Sequence, residues 1–196
     1  MDFVYVSGHP SLNLVGTLKW RRRSRPEEQL LLTEQIGEWA VGAGLVDTPM
    51  LATTDDLRRV RAVREALYRA VTARLAGEPP PARDRTLLNR TSAGRPLGVT
   101  LDAQGALRLV ASVDQLLTTI VLDAFELMRS DAFARVKECA QDDCTRLFVD
   151  TSRGGSRRWC GMAECGNRAK ARAFRERQNA TSSSGSRRTQ HPKQRL

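Results

Sequence analysis

Four cysteines form the pattern with the most specific chemistry in this sequence. They fall as Cys139-x4-Cys144-x15-Cys160-x4-Cys165. Two close pairs separated by a loop can each fold into a knuckle presenting two thiolates, and together they make a tetrahedral zinc site. Two disulfides, or buried thiols that merely cluster, are the alternatives. The opening residues Met1–Val6 hold neither a basic leader nor a long apolar segment, so an intracellular chain is expected, and disulfides are rare in that compartment. Four thiolates leave no position for an activated water, so the expected ion is one structural zinc per chain.

The residues around the ligands are basic. Asp150–Arg158 reads as a flexible loop carrying Arg153, Arg157 and Arg158. Gly166–Arg177 reads as a helix with Asn167 as its N-cap. Arg168, Arg172 and Arg175 then share one face at i, i+4 and i+7, with Lys170 and Arg177 elsewhere on the helix. Arg168 and Lys170 in a first turn oppose the helix dipole. Either a phosphate backbone drawn to those cations or the formal −2 charge of a zinc–thiolate cluster would compensate. Trp159, Leu147 and Phe148 can pack a small core around the metal. Aromatic residues are few here, which favours a helix gripping phosphates over a platform for stacked bases.

Charge along the chain agrees. Residues 1–152 hold 20 basic and 20 acidic residues, whereas residues 153–196 hold 12 basic residues against Glu164 and Glu176. The whole net charge of +10 therefore lies in the last part of the chain. A neutral body with a strongly basic end is the asymmetry of a polyanion binder. Arginine outnumbers lysine 28 to 4 throughout, so the choice of Arg at any one site says little.

The elements that must position these groups are mostly helical. Val4–Leu18 reads as an extended piece, a Gly8-His9-Pro10 turn and an apolar stretch. Lys19–Pro26 reads as a basic, solvated loop. Helices are expected at Thr33–Val41, from Thr53 or Thr54 to Leu75, over Ala82–Thr91 and over Val113–Met128. Leu57, Val60, Val63, Leu67, Val71 and Leu75 recur at helical spacing and mark a core face. Leu97–Leu101 and Ala106–Val110, joined by a Gly-containing link, suggest a β-hairpin. The fold class is therefore mainly α (α+β): a helical N-terminal domain with one β-hairpin (1–131), a small four-cysteine zinc knuckle ending in a basic helix (132–178), and a mobile basic tail (179–196). No apolar run approaches the length of a membrane span.

Taken together, Cys139-x4-Cys144, Leu147–Arg153, Ser156–Cys160 and Cys165-Gly166-Asn167-Arg168-Ala169-Lys170 closely resemble the CGNR zinc finger, a family named for the tetrapeptide at positions 165–168. In that family the finger follows an ABATE domain, a mostly helical module with a β-hairpin found in bacterial stress-induced transcription regulators. The body here is similar in length and element order. Leu12–Leu18 resembles that domain's opening Leu-Asp-Phe-Val-Asn-Thr segment, with Asn13, Leu14 and Gly16 in place of Asp, Phe and Asn. If that segment lines a ligand pocket, the ligand differs or is absent.

The resemblance implies a bacterial, cytoplasmic, nucleoid-associated protein that binds double-stranded DNA through Arg153, Arg157, Arg158, Arg168, Lys170, Arg172 and Arg175. The helical body would sense a small-molecule effector or form a homodimer. A redox or zinc-responsive switch, and an RNA- or protein-binding module without sequence readout, are the alternatives. No enzyme is expected: His9 and His191 sit in no nucleophile or metal motif.

Overall fold

The computed structural model describes residues 3–185. Pro10 opens a short helix, α1 (Pro10–Val15), with His9 at its N-cap. Proline suits this position because its missing N–H has no helical acceptor there. Leu12, Leu14 and Val15 are buried almost completely, so the segment expected as a turn and apolar stretch is a core helix, too short to show a period. Asn13 Oδ1 accepts the Ser7 amide at 3.0 Å. Of the departures from the family's opening segment, Leu14 and Gly16 are buried and Asn13 is half-buried.

Two short strands follow, β1 (Leu18–Lys19) and β2 (Glu27–Glu28), paired antiparallel. The basic run they enclose is exposed from Arg22 to Pro26, as a solvated loop should be, but four of its cations have carboxylate partners. Lys19 meets Glu27 at 3.2 Å, Arg21 meets Glu65 at 3.1 Å, Arg22 meets Glu138 at 2.8 Å, and Arg23 meets Asp143. Trp20 takes a left-handed backbone conformation (φ 56°), which is strained for a bulky side chain. Burial of its ring, with the Arg23 guanidinium 4.2 Å from the ring centre, holds it there.

Helix α2 (Glu34–Gly42) buries Ile36, Trp39 and Ala40. The longest helix of the body, α3 (Thr54–Leu75), begins with a capping box in which Thr53 and Asp56 satisfy each other's backbone amides. Its predicted face is buried as far as Val71, whereas Leu75 at the end is exposed. Helix α4 (Ala82–Ser92) buries Leu88, and its buried Asp84 takes a two-pronged hydrogen bond from Arg69 at 2.7 and 2.8 Å.

The expected hairpin is present as β3 (Gly98–Leu101) and β4 (Leu107–Val110). Asp102 Oδ1 accepts the amides of Gln104 and Ala106, and Gly105 supplies the positive φ (80°) that closes the turn. A second capping box, Ser112 with Gln115, starts α5 (Val113–Arg129). Its Leu116, Ile120, Val121 and Leu127 are buried against α1, α3 and α4. Each such fully buried side chain is worth roughly 1.5–3 kcal/mol, so α5 is the keel of the body.

A 3-10 turn (Asp131–Arg135) leads into β5 (Val136–Glu138), which pairs antiparallel with β6 (Leu147–Val149). A π-turn (Met162–Gly166) and helix α6 (Asn167–Gly185) complete the described chain. The helix thus continues into the segment expected to be mobile, and the remainder of that tail, 186–196, lies outside the described residues. Residues 1–160 form one compact unit, and the residues from Gly161 onward form a second. No described helix is long and apolar enough to cross a membrane.

Candidate metal centre and nucleic-acid interface

Strand β5 delivers Cys139 to the end of a ladder closed by Cys139 N–H donating to Arg146 C=O at 3.0 Å. The turn after it brings the Cys144 amide to Gln141 C=O, also at 3.0 Å. The interpair loop returns along this turn, with Ala140 N–H donating to Arg158 C=O at 2.9 Å. Cys160 N–H then donates to Cys139 Sγ at 3.4 Å. Cys165 sits in the π-turn, whose closing bond runs from Gly166 N–H to Gly161 C=O at 2.9 Å.

All four cysteines are buried, and their sulfurs lie within 4.8 Å of one another. Four sulfurs at about 2.3 Å from a tetrahedral centre stand about 3.8 Å apart, and Cys144 Sγ is 3.9 Å from Cys160 Sγ. Hydrogen bonds from the Cys144 and Cys160 thiols pull Cys139 down to about 2. The same contact with Cys139 pushes Cys160 and Cys144 upward. Sulfurs this close therefore cannot all ionise alone, and a divalent cation is the natural partner for four thiolates. The donor set fits one structural zinc, held by Cys139, Cys144, Cys160 and Cys165.

The first knuckle is built into the body rather than around a core of its own. Val136, Leu147 and Val149 belong to the main hydrophobic cluster. Phe148 is fully buried, and Arg157 lies over it with its guanidinium carbon 4.3 Å from the ring centre. Trp159, expected in a metal-side core, is half-buried and has the Arg158 guanidinium 5.6 Å from its ring centre. Arg146 is buried and donates to Val4 C=O at 3.0 Å. A Cβ at Gly16 would fall 2.8 Å from Arg146 Nη1, so glycine at 16 makes room for that guanidinium.

The interpair loop is tied near both ends to one carboxylate. Asp150 is fully buried and accepts from Lys137 Nζ at 2.7 Å, Ser152 N–H at 2.9 Å, Ser152 Oγ at 2.6 Å and Arg157 N–H at 3.0 Å. Lys137 and Ser152 hold its carboxyl far below the usual carboxylate range. Sequence reasoning missed this hub. The Asp-x-Ser spacing of a side-chain-capped turn was the available signal.

The predicted cations separate into two groups. Arg157 turns inward: Nε donates to Trp159 C=O at 2.9 Å, and Nη2 donates to Val6 C=O at 3.1 Å and to Cys160 C=O. Nε and Nη2 are thus committed to backbone carbonyls, which gives Arg157 a structural role. Arg153 and Arg158 are exposed in the loop. Arg168, Lys170, Arg172 and Arg175 are exposed on α6, where Arg172 Nε also meets Glu176 Oε1 at 2.9 Å. Asn167 is not a cap at a free helix end, since the π-turn before it is already helical. Arg168 and Lys170 therefore do not stand in a first turn, and the opposition to the dipole is relieved.

His9, Ser11 and Asp123 come together without making a nucleophile. Asp123 accepts from the Ser11 amide at 2.9 Å and from Ser11 Oγ at 2.5 Å, and lies 3.0 Å from His9 Nδ1. The carboxylate, not the imidazole, takes the serine proton's hydrogen bond, the reverse of a hydrolytic relay. The group caps α1.

Two stretches of the chain match known families. Residues 8–131 match ABATE, described as a "putative stress-induced transcription regulator", and residues 135–178 match the CGNR zinc finger. No match was found among curated proteins.

Proposed function

The chain belongs to the ABATE family and carries a CGNR zinc finger, and from that premise we propose that it is a zinc-dependent transcription regulator binding double-stranded DNA. One observation carries the reading: the four-cysteine site leads directly into a helix whose Arg168, Lys170, Arg172 and Arg175 are all exposed. Zinc would fold the knuckle and launch α6 as a rigid rod. Its cations would then neutralise successive phosphates, with one or two reaching base edges. Arg153 and Arg158 would add phosphate contacts from the interpair loop. The Arg172–Glu176 pair is no obstacle, because an exposed pair is worth about 1 kcal/mol or less and a phosphate can displace it.

The protein acts as a binder and not as a catalyst in this account, working in the bacterial cytoplasm on the nucleoid. The helical body would take a small effector or a second copy of the chain. Burial of the four cysteines supports a structural zinc over a peroxide-sensing one, since oxidation follows thiolate access.

The test is to incubate zinc-loaded protein with random DNA duplexes at physiological salt and sequence what it retains. Enrichment of a motif supports a sequence-reading regulator. Retention without enrichment reduces the reading to phosphate grip. No retention overturns it in favour of an RNA- or protein-docking module.

A further inference from the structure

A cavity of about 580 Å³ opens between α3, α4 and α5, a volume typical of small-molecule sites. Its floor is apolar: Val63 and Leu117 are buried and Leu87 is half-buried. Its rim carries three guanidinium groups, Arg59, Arg90 and Arg95, against one carboxylate, Asp114. That carboxylate is already taken by Arg59, which also meets Asp56 at 3.2 Å. Among the described residues no carboxylate pairs with Arg90 or Arg95.

The C-terminal end of α4, with its unpaired carbonyls, favours nearby cations. That end supplies only about half a negative charge, and it does not explain an apolar hollow beneath. The mouth is kept open by Gly94, where a Cβ would lie 2.5 Å from Thr118 Oγ1. Thr118 Oγ1 itself donates to Thr91 C=O at 3.1 Å, so the wall at that point is satisfied and rigid.

We propose that this cavity binds a small organic anion: a carboxylate gripped by Arg90 and Arg95, with an aliphatic or aromatic body laid on the Val63–Leu117 floor. Guanidinium forks match a carboxylate in two prongs. The apolar floor discriminates against acetate and free phosphate, which would gain the charge but bury no hydrocarbon. The inference deepens the reading of the body as a sensor and rests on that reading only for the consequence of binding. Its test therefore omits DNA, so a failure to bind DNA and a failure to bind carboxylate are separate results.

Octanoate and benzoate would be titrated into the full zinc-loaded chain by calorimetry, with acetate and inorganic phosphate as comparators. The expected result is saturable binding of octanoate or benzoate and none of the comparators. R90Q/R95Q changes two exposed positions and should keep the parent's far-UV spectrum, while weakening binding about tenfold or more, as loss of charge-assisted hydrogen bonds does. Ala62→Phe, on the exposed cavity wall, should block binding by filling the hollow. No saturable binding of either carboxylate, equal binding of acetate, or undiminished binding by both folded variants would overturn the proposal.

Discussion

Arg22 Nη2 lies 2.8 Å from Glu138 Oε1, the carboxylate immediately before the first cysteine of the metal site. Its neighbour Arg23 repeats the arrangement, with Nε 2.7 Å from Asp143 Oδ2, immediately before the second. The basic run read as a solvated loop thus pairs with the carboxylates that precede both cysteines of the first knuckle. The pair of substitutions Arg22→Ala and Arg23→Ala should therefore leave DNA affinity and its salt dependence at the parent's level. Each exposed pair contributes about 1 kcal/mol or less, so the melting temperature should fall by only a few degrees. Fluorescence anisotropy on a labelled duplex beside a thermal melt checks both halves. A loss of affinity as large as that from the α6 arginines would move the DNA surface onto residues 19–25.

Arg172 is exposed at the middle of the α6 face that also holds Arg168 and Arg175. Arg172→Ala should weaken binding to all duplex sequences alike and flatten the plot of log affinity against log salt by about one unit. Titrations at four salt concentrations read the slope directly. An unchanged slope would remove Arg172 from the interface.

Arg157 gives the opposite expectation. Its planar fork spans the carbonyls of Val6, Trp159 and Cys160 while stacking on Phe148. A lysine cannot reproduce that geometry. Arg157→Lys should thus destabilise the protein almost as much as Arg157→Ala, by about 2–3 kcal/mol, and speed zinc transfer to a chelator. The folded fraction should keep the parent's DNA salt slope. A stable Arg157→Lys with a reduced slope would return this residue to the phosphate-contacting set.

Acid should act through Asp150. Its carboxyl is held below the ordinary range by Lys137 and Ser152, so the folded state binds a proton less readily than the unfolded chain. The stabilisation is complete above the unfolded value of about 4 and is lost as pH falls through the folded one. Asp150→Asn should be less stable than the parent at pH 7. The gap should hold down to about pH 4 and narrow progressively below it, closing only once pH has fallen through the folded value and both forms carry an uncharged side chain. Denaturant melts of parent and variant across pH, at matched zinc content, measure the gap. A gap that widens on acidification would contradict the assignment.

What the sequence disclosed follows from the range of the interactions involved. Helices α3 and α5 were legible because their faces repeat locally and their capping pairs, Thr53–Asp56 and Ser112–Gln115, sit three residues apart. The zinc ligands were legible because two short spacers determine both knuckles. The role of Arg22 was not, because its partner Glu138 is 116 residues away. Arg157 looked like its basic neighbours, and only the closing of the loop onto Phe148 separates it from them. The π-turn at Met162–Gly166 moved the start of the helical rod ahead of Asn167, which no capping signature announces.

Zinc on Cys139, Cys144, Cys160 and Cys165 should present α6 to DNA. The most direct measurement is the affinity of the full chain for a labelled duplex as a function of salt, with one equivalent of zinc and again after chelation. The account predicts tight binding that weakens linearly on a log–log salt plot when zinc is bound, and collapse of that binding when zinc is removed. Binding that survives chelation with the same slope, or a zinc-loaded chain indifferent to DNA at low salt, would contradict it.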